Sequence, residues 1–274
     1  MNKWEVQGGI RYEKTEGKGN RFGNALIADS SFIIQYSNFF PSVFITYKAS
    51  EKHSFNLSVA RRIDRPSYQS LNPFINYVSK YVFDQGNPFL QPQLGNTFEF
   101  GHHFKNLLFS KLTYNYTDNL FIPVLRTLDN ITIAKPGNLG NSKTIGGSFT
   151  LQFNLLSWWN FSLNAFTAFI RQTGVANGKN INSKIFRGNF NAISQFKLPN
   201  KWVLELSGFY NTRNRFGQFI VNESGDVSIA ASKSVLKDRG SFKLNVRDIF
   251  YTRIFNADIN IDGNQEYQKV SQHI

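Results

Sequence analysis

Histidine, carboxylate and amine groups are the only candidates for metal or acid–base chemistry in this chain, because 274 residues include four histidines and no cysteine. His102 and His103 are adjacent, so on a strand they point to opposite faces and cannot hold one ion together. His53 sits at a turn and His273 near the end of the sequence. No Ser-His-Asp order, carboxylate pair or phosphate-cradling glycine loop is recognisable. The expectation is therefore a protein that is not an enzyme and uses no metal or cofactor.

Recognition chemistry is better represented. The stretch "RRIDRPSYQSLNPFINYVSKYVFDQGNPFLQPQ", Arg61 to Gln93, has neither helical nor strand period, yet it is rich in proline and aromatic residues. That composition predicts an ordered loop rather than a linker. Within it Arg62, Arg65, Tyr68, Tyr77 and Tyr81 are candidate ligand contacts, since arginine and aromatic side chains dominate binding hot spots. The same residues could instead pack the loop onto its neighbours. A second set, Glu99, Lys111, Arg187, Lys197, Glu205, Lys243 and Arg247, falls on the polar face of alternating segments. It reads as a polar wall along a ligand path, or as ordinary solvation and cross-strand pairing.

The elements that position these residues are strands. In "TIGGSFTLQFNL" Ile145, Gly147, Phe149, Leu151 and Phe153 take one face while Gly146, Ser148, Thr150 and Gln152 take the other. "HSFNLSVA", "NFSLNAFTAF", "WVLELSGFY" and "SFKLNV" repeat the pattern, for about twelve strands in all and essentially no helix. Short connections ("ASEK", "KN", "LSW", "PN", "KDRG") alternate with long ones: Lys14 to Ser30, Arg62 to Gln93, Thr117 to Lys143, Gln172 to Ser183, Asn211 to Asp226, and Tyr251 to about Gly263. In an up-and-down meander this rhythm puts every short turn at one end and every long loop at the other, as in outer-membrane barrels.

Aromatic spacing distinguishes a membrane barrel from a soluble sandwich. Trp4 and Tyr12, like Trp202 and Tyr210, stand eight residues apart on the apolar face. Eight residues span roughly 26 Å of strand, or about 20 Å of height at a tilt near 40°, close to the apolar band between aromatic girdles. Alternation also explains how a chain of mean hydropathy -0.33 can cross a bilayer with no apolar run near 18 residues. The net charge of +13 is scattered over turns, loops and polar faces, which argues against nucleic acid as a partner.

"RRIDRPSYQSLNPF" and "YVFDQGNPFLQP", followed by "LPNKWVLELSGFYN" and "LKDRGSFKLNVRDIF", resemble the outer-membrane β-barrel region of Bacteroidetes-type TonB-dependent receptors, the outer membrane protein beta-barrel family. The similarity runs from about Ile10 to Phe255. It implies an all-β, antiparallel up-and-down transmembrane barrel in the bacterial outer membrane that imports a scarce ligand such as a siderophore, glycan or peptide. It also implies partners: outer-membrane lipid and lipopolysaccharide, a plug domain inside the barrel, and the TonB energising complex acting through that plug. Such barrels have about 22 strands. Residues 1–274 are expected to be a single barrel region, the C-terminal part of the larger barrel, without signal peptide, plug or closing strand. A complete twelve-stranded barrel, acting as a passive porin or a surface adhesin, is the alternative.

Overall fold

Side chains that alternate between two faces commit a segment to an extended ladder, and each alternating segment quoted above is a strand in the computed structural model. The structure describes residues 3–21, 30–128, 131–176, 178–216, 219–259 and 270–273. The chain begins with β1 (Trp4–Arg21), β2 (Ser30–Lys48) and β3 (His53–Asp64). A one-turn helix, α1 (Tyr68–Leu71), and two short strands, β4 (Ile75–Ser79) and β5 (Val82–Gln85), follow. Long strands come next: β6 (Gln93–Phe104), β7 (Leu108–Leu128), β8 (Ile131–Leu156), β9 (Trp159–Ala176) and β10 (Lys179–Leu198). The remainder is β11 (Trp202–Asn211), β12 (Asn214–Phe216), β13 (Phe219–Val221), β14 (Ser224–Val235), β15 (Gly240–Val246), β16 (Ile254–Ile259) and β17 (Val270–His273).

The main sheet has 13 strands, as the reading of about twelve anticipates. Its path runs β1-β2-β3-β6-β7-β8-β9-β10-β11-β14-β15, antiparallel throughout, with β1 and β15 at its edges among the described residues. The strands β12, β13, β16 and β17 form a separate small sheet. Every short connection falls where the spacing places it, and left-handed residues make these turns tight: Lys105 (φ 49) on one, Asn200 (φ 59) on another, and Lys237 (φ 55) on a third.

The long connections differ from expectation. The segment from Thr117 to Lys143 is a continuation of β7 and β8, paired as far as Leu128 with Ile131. Likewise β1 stays paired to Arg21, and β9 and β10 stay paired to Ala176 and Lys179. The physical reason is that both faces are wet outside the bilayer, so the apolar–polar contrast ends at the girdle while the backbone ladder continues. Arg62 belongs to the end of β3 rather than to the loop. The loop after it holds α1 and the β4–β5 hairpin, with β5 lying parallel to β8 through Val82 opposite Thr132. Residues 22–29 lie outside the described residues, as do 260–269, so of the tail "YQKVSQHI" only β17 is described.

The two faces match the alternation. Trp4 stands opposite Tyr47, which stands opposite Phe55, which stands opposite His102, so one row crosses four strands on one face. That face is apolar and exposed, as a lipid-facing surface must be: Ile10, Leu112, Ile145, Phe169 and Leu244 all lie on it. Among the described residues, buried apolar side chains are few and include Phe40, Ala168 and Ile185 in the wall and Leu90, Ile122 and Leu125 at the long-loop end. Stability in this architecture comes from the ladder and from lipid on the outside rather than from a water-excluding core.

Candidate functional site

The polar face of the sheet and the folded loop at its long-connection end together form the candidate site. The loop path is set by backbone restrictions. Ser67 caps α1 by accepting from the Ser70 backbone N–H, and Gly86 passes so close to Asn72 that a Cβ there would lie 2.3 Å from the Asn72 carbonyl oxygen. Only glycine fits that crossing. The return limb is stitched to the β7–β8 hairpin: the Asn87 side-chain amide donates to the Pro136 carbonyl (3.1 Å), the Gln91 N–H donates to Asn138 Oδ1 (2.9 Å), and Asn138 Nδ2 donates back to the Gln91 carbonyl (2.9 Å).

Arg65 ties the other limb to the barrel wall. Its Nη2 donates to Glu13 on β1, its Nε donates to the Tyr36 hydroxyl on β2 (3.1 Å), and its guanidinium lies 6.0 Å from the Tyr36 ring centre. The hydrogen bond from Arg65 is the largest influence on Glu13, whose carboxyl it holds below the ordinary glutamate range despite partial desolvation. Arg65 is thus a latch in this structure. The sequence alone did not indicate Glu13 or Tyr36, because partners 52 and 29 residues away leave no local signal.

The remaining loop candidates are not gathered around one point. Tyr68 is 87% exposed on α1, Tyr77 packs edge-on against Phe83 (5.0 Å between ring centres), and Lys80 covers Tyr81 at 5.3 Å. Together with exposed Phe74, Ile75 and Phe89 they form an aromatic outer surface.

Register places six of the seven charged candidates on the polar face, and Arg247 follows just beyond the end of β15. Glu99 is the best connected: Lys111 Nζ donates to it at 2.8 Å, and Ser58 and Thr113 hydroxyls donate at 3.4 Å each. Glu205 and Arg247 line a polar cavity of about 270 Å³ with Asp226 and Arg253, and Arg253 approaches Asp226 at 3.8 Å. Arg187 Nε donates to Asn189 Oδ1 (3.3 Å). Lys197 stands opposite Val203, which stands opposite Ser232 and thence Lys243, so these two lysines share one row on separate strands. Among the described residues no group of three or more His, Cys, Asp and Glu side chains could hold a metal ion. The arrangement offers fixed charges and amides along a surface.

The chain matches the outer membrane protein beta-barrel family over residues 1–273. None of the curated proteins is similar to it in sequence. Among solved structures it is similar to the siderophore receptor PirA from Pseudomonas aeruginosa (15% identity, TM-score 0.60, covering 91% of this chain and 46% of that one). It is also similar to the siderophore receptor PiuA from Acinetobacter baumannii (15%, 0.65, 99% and 39%). The FrpB iron transporter from Neisseria meningitidis gives 12%, 0.63, 100% and 41%. The chain therefore spans less than half the length of each of these proteins, with which it shares the fold.

Proposed function

Since the chain belongs to the outer membrane protein β-barrel family, and so to the bacterial outer membrane, we propose that it is barrel wall of a TonB-dependent receptor that imports a scarce ligand. The observation that carries this reading is the asymmetry of the two ends: tight turns at one, and at the other an ordered loop pinned to the wall by Arg65 and presenting Tyr68, Tyr77 and Phe89 outward. A general pore needs no such surface. The solved structures named above are siderophore receptors and an iron transporter, so a siderophore-like ligand is the first class to test, ahead of glycans and peptides.

In this reading the aromatic outer surface makes first contact, Arg62 stands on the polar face near the end of β3, and Arg65 fixes the loop that carries the aromatics. Glu99, Lys111, Arg187 and Glu205, spread over the polar face, meet a plug domain inside the barrel, and TonB acts on that plug from the short-turn side. Lipopolysaccharide surrounds the long-loop end. The test uses potassium chloride conductance of the full-length protein in planar bilayers. A plugged importer stays closed at rest. Steady, discrete channel openings would overturn the importer reading in favour of a passive porin.

A further inference from the structure

The outward, lipid-facing surface carries a groove of about 330 Å³ across β6 to β9. Two cross-strand rows explain it. In one, Phe100, Leu112, Gly147 and Thr167 stand side by side; in the next, His102, Ser110, Phe149 and Ala165 do. Large side chains on β6 and β7 fall away to Gly147 and Thr167 in the first row, and Ser110 and Ala165 flank Phe149 in the second. The hollow is walled by Phe100, Leu112 and Phe149 and floored by the small residues.

Strand tilt turns this row into a climbing channel. His102 lies two residues above the end of β6 at Phe104, whereas Thr167 lies eight residues above the start of β9 at Trp159. The six-residue difference is about 15 Å of height at a tilt near 40°. The groove thus rises from the short-turn interface into the hydrocarbon, the course of an acyl chain.

Beyond its lower end, at His102, a separate cavity at the turns is basic, lined by Lys52, His53 and Lys105 with Lys3 and Lys48. His53 Nδ1 and His102 Nε2 lie 3.0 Å apart in stacked rings, which leaves each ring one nitrogen outside that bond. The turns beneath carry Lys52 and Lys105, joined by the Lys105 N–H donating to the Lys52 carbonyl (2.7 Å). Neither lysine has an ion-pair partner among the described residues, and Glu51 is the acidic residue of the same turn. Aromatic residues at the interface and basic groups beside them are the setting in which phospholipid headgroups bind.

We propose that this groove is a binding site for an anionic phospholipid of the periplasmic leaflet. The acyl chain lies over Gly147 and Ala165, and the phosphate meets His53, His102, Lys52 and Lys105. The ammonium of a zwitterionic headgroup would face the two lysines, so the site favours phosphatidylglycerol over phosphatidylethanolamine. The proposal rests on the orientation given above, with short turns periplasmic, and not on what is imported.

The test is lipid retention by the full-length protein in native mass spectrometry after exchange with defined phosphatidylglycerol and phosphatidylethanolamine mixtures. We expect one phosphatidylglycerol retained per protein, preferred about tenfold, the effect of one or two lysines at an anionic surface. Gly147→Leu should abolish retention. Gly147→Ala should keep it, because a Cβ there meets Leu112 Cδ2 at an ordinary 3.7 Å. Lys52→Glu with Lys105→Glu should erase the preference and leave the groove intact. Equal retention of both lipids, or retention unchanged in Gly147→Leu of native heat-modifiable migration, would overturn the proposal. Binding of inorganic phosphate without any retained lipid would also overturn it, in favour of a site for a free anion. A protein that fails to import yet retains the lipid separates this inference from the import reading.

Discussion

Leu206→Arg tests the assignment of the two faces where the geometry is most symmetrical. On β11, Leu206 lies midway between Trp202 and Tyr210, on their face, and is 44% exposed. Four residues on each side are roughly 13 Å of strand, or about 10 Å of height at a tilt near 40°. Trp202 marks the interface well, because Lys233 on the neighbouring strand lies 5.0 Å over its ring, a cation held where water and headgroups reach it. An arginine at position 206 cannot bring its head to either girdle, so it should cost about 2 to 4 kcal/mol. Leu204→Arg, two residues from Trp202, can reach the interface and should cost about 1 kcal/mol or less. Ser207→Arg faces the polar interior and should cost little. The measurement is reversible denaturant unfolding of the full-length protein from lipid bilayers, followed by tryptophan fluorescence. A larger loss for Ser207→Arg than for Leu206→Arg would mean the faces are exchanged, as a one-residue register shift would do. Equal losses at 204 and 206 would refute the depth assignment.

Three further outcomes are expected. Arg65→Ala should speed tryptic cleavage at Lys80 on intact cells without altering the barrel's heat-modifiable migration. Because the Glu13 carboxyl is held below its ordinary range, the wild-type latch contributes fully above that range and is lost only as pH falls through the lowered value. Loop opening, followed in acid by pepsin because trypsin is inactive there, should therefore stay unchanged from neutral pH down to the ordinary glutamate range and rise only below it. Because the chain contains no cysteine, Ser79→Cys and Asn200→Cys give clean sites for an impermeant thiol reagent on intact cells; position 79 should label and position 200 should not, and the opposite result reverses the orientation.

The membrane wall was legible in the sequence because a bilayer imposes a period. Phe149, Leu151 and Phe153 alternate with Ser148, Thr150 and Gln152, and the register places these sets on opposite faces. The pairing of β7 with β8 beyond Asp118 was not legible, because Pro123 opposite Pro136 and Asn138 near Asn119 carry turn chemistry while the ladder continues through them. Within the candidate site, the polar face of Glu99 and Lys111 followed from alternation, but their direct ion pair needed the cross-strand register. Long-range partners were invisible for the same reason. His102 and His103 were correctly read as facing apart, yet His53, 49 residues away from His102, gave no sign that it closes on it.

The parallel pairing of β5 with β8 has a mechanical consequence. It joins the Arg62 to Gln93 loop to the hairpin two strands further along, and the Asn87, Gln91 and Asn138 hydrogen bonds fasten the return limb to the same hairpin. Loop and hairpin form a braced arch over one side of the mouth, with Arg65 as its second footing on β1 and β2. An arch of this kind transmits force as a unit: pulling on any one limb loads the other footing before it bends. If the chain is part of an importer as proposed, a ligand entering on this side would either slide beneath the arch or lift it whole, and the second route would require breaking the Arg65 footing first.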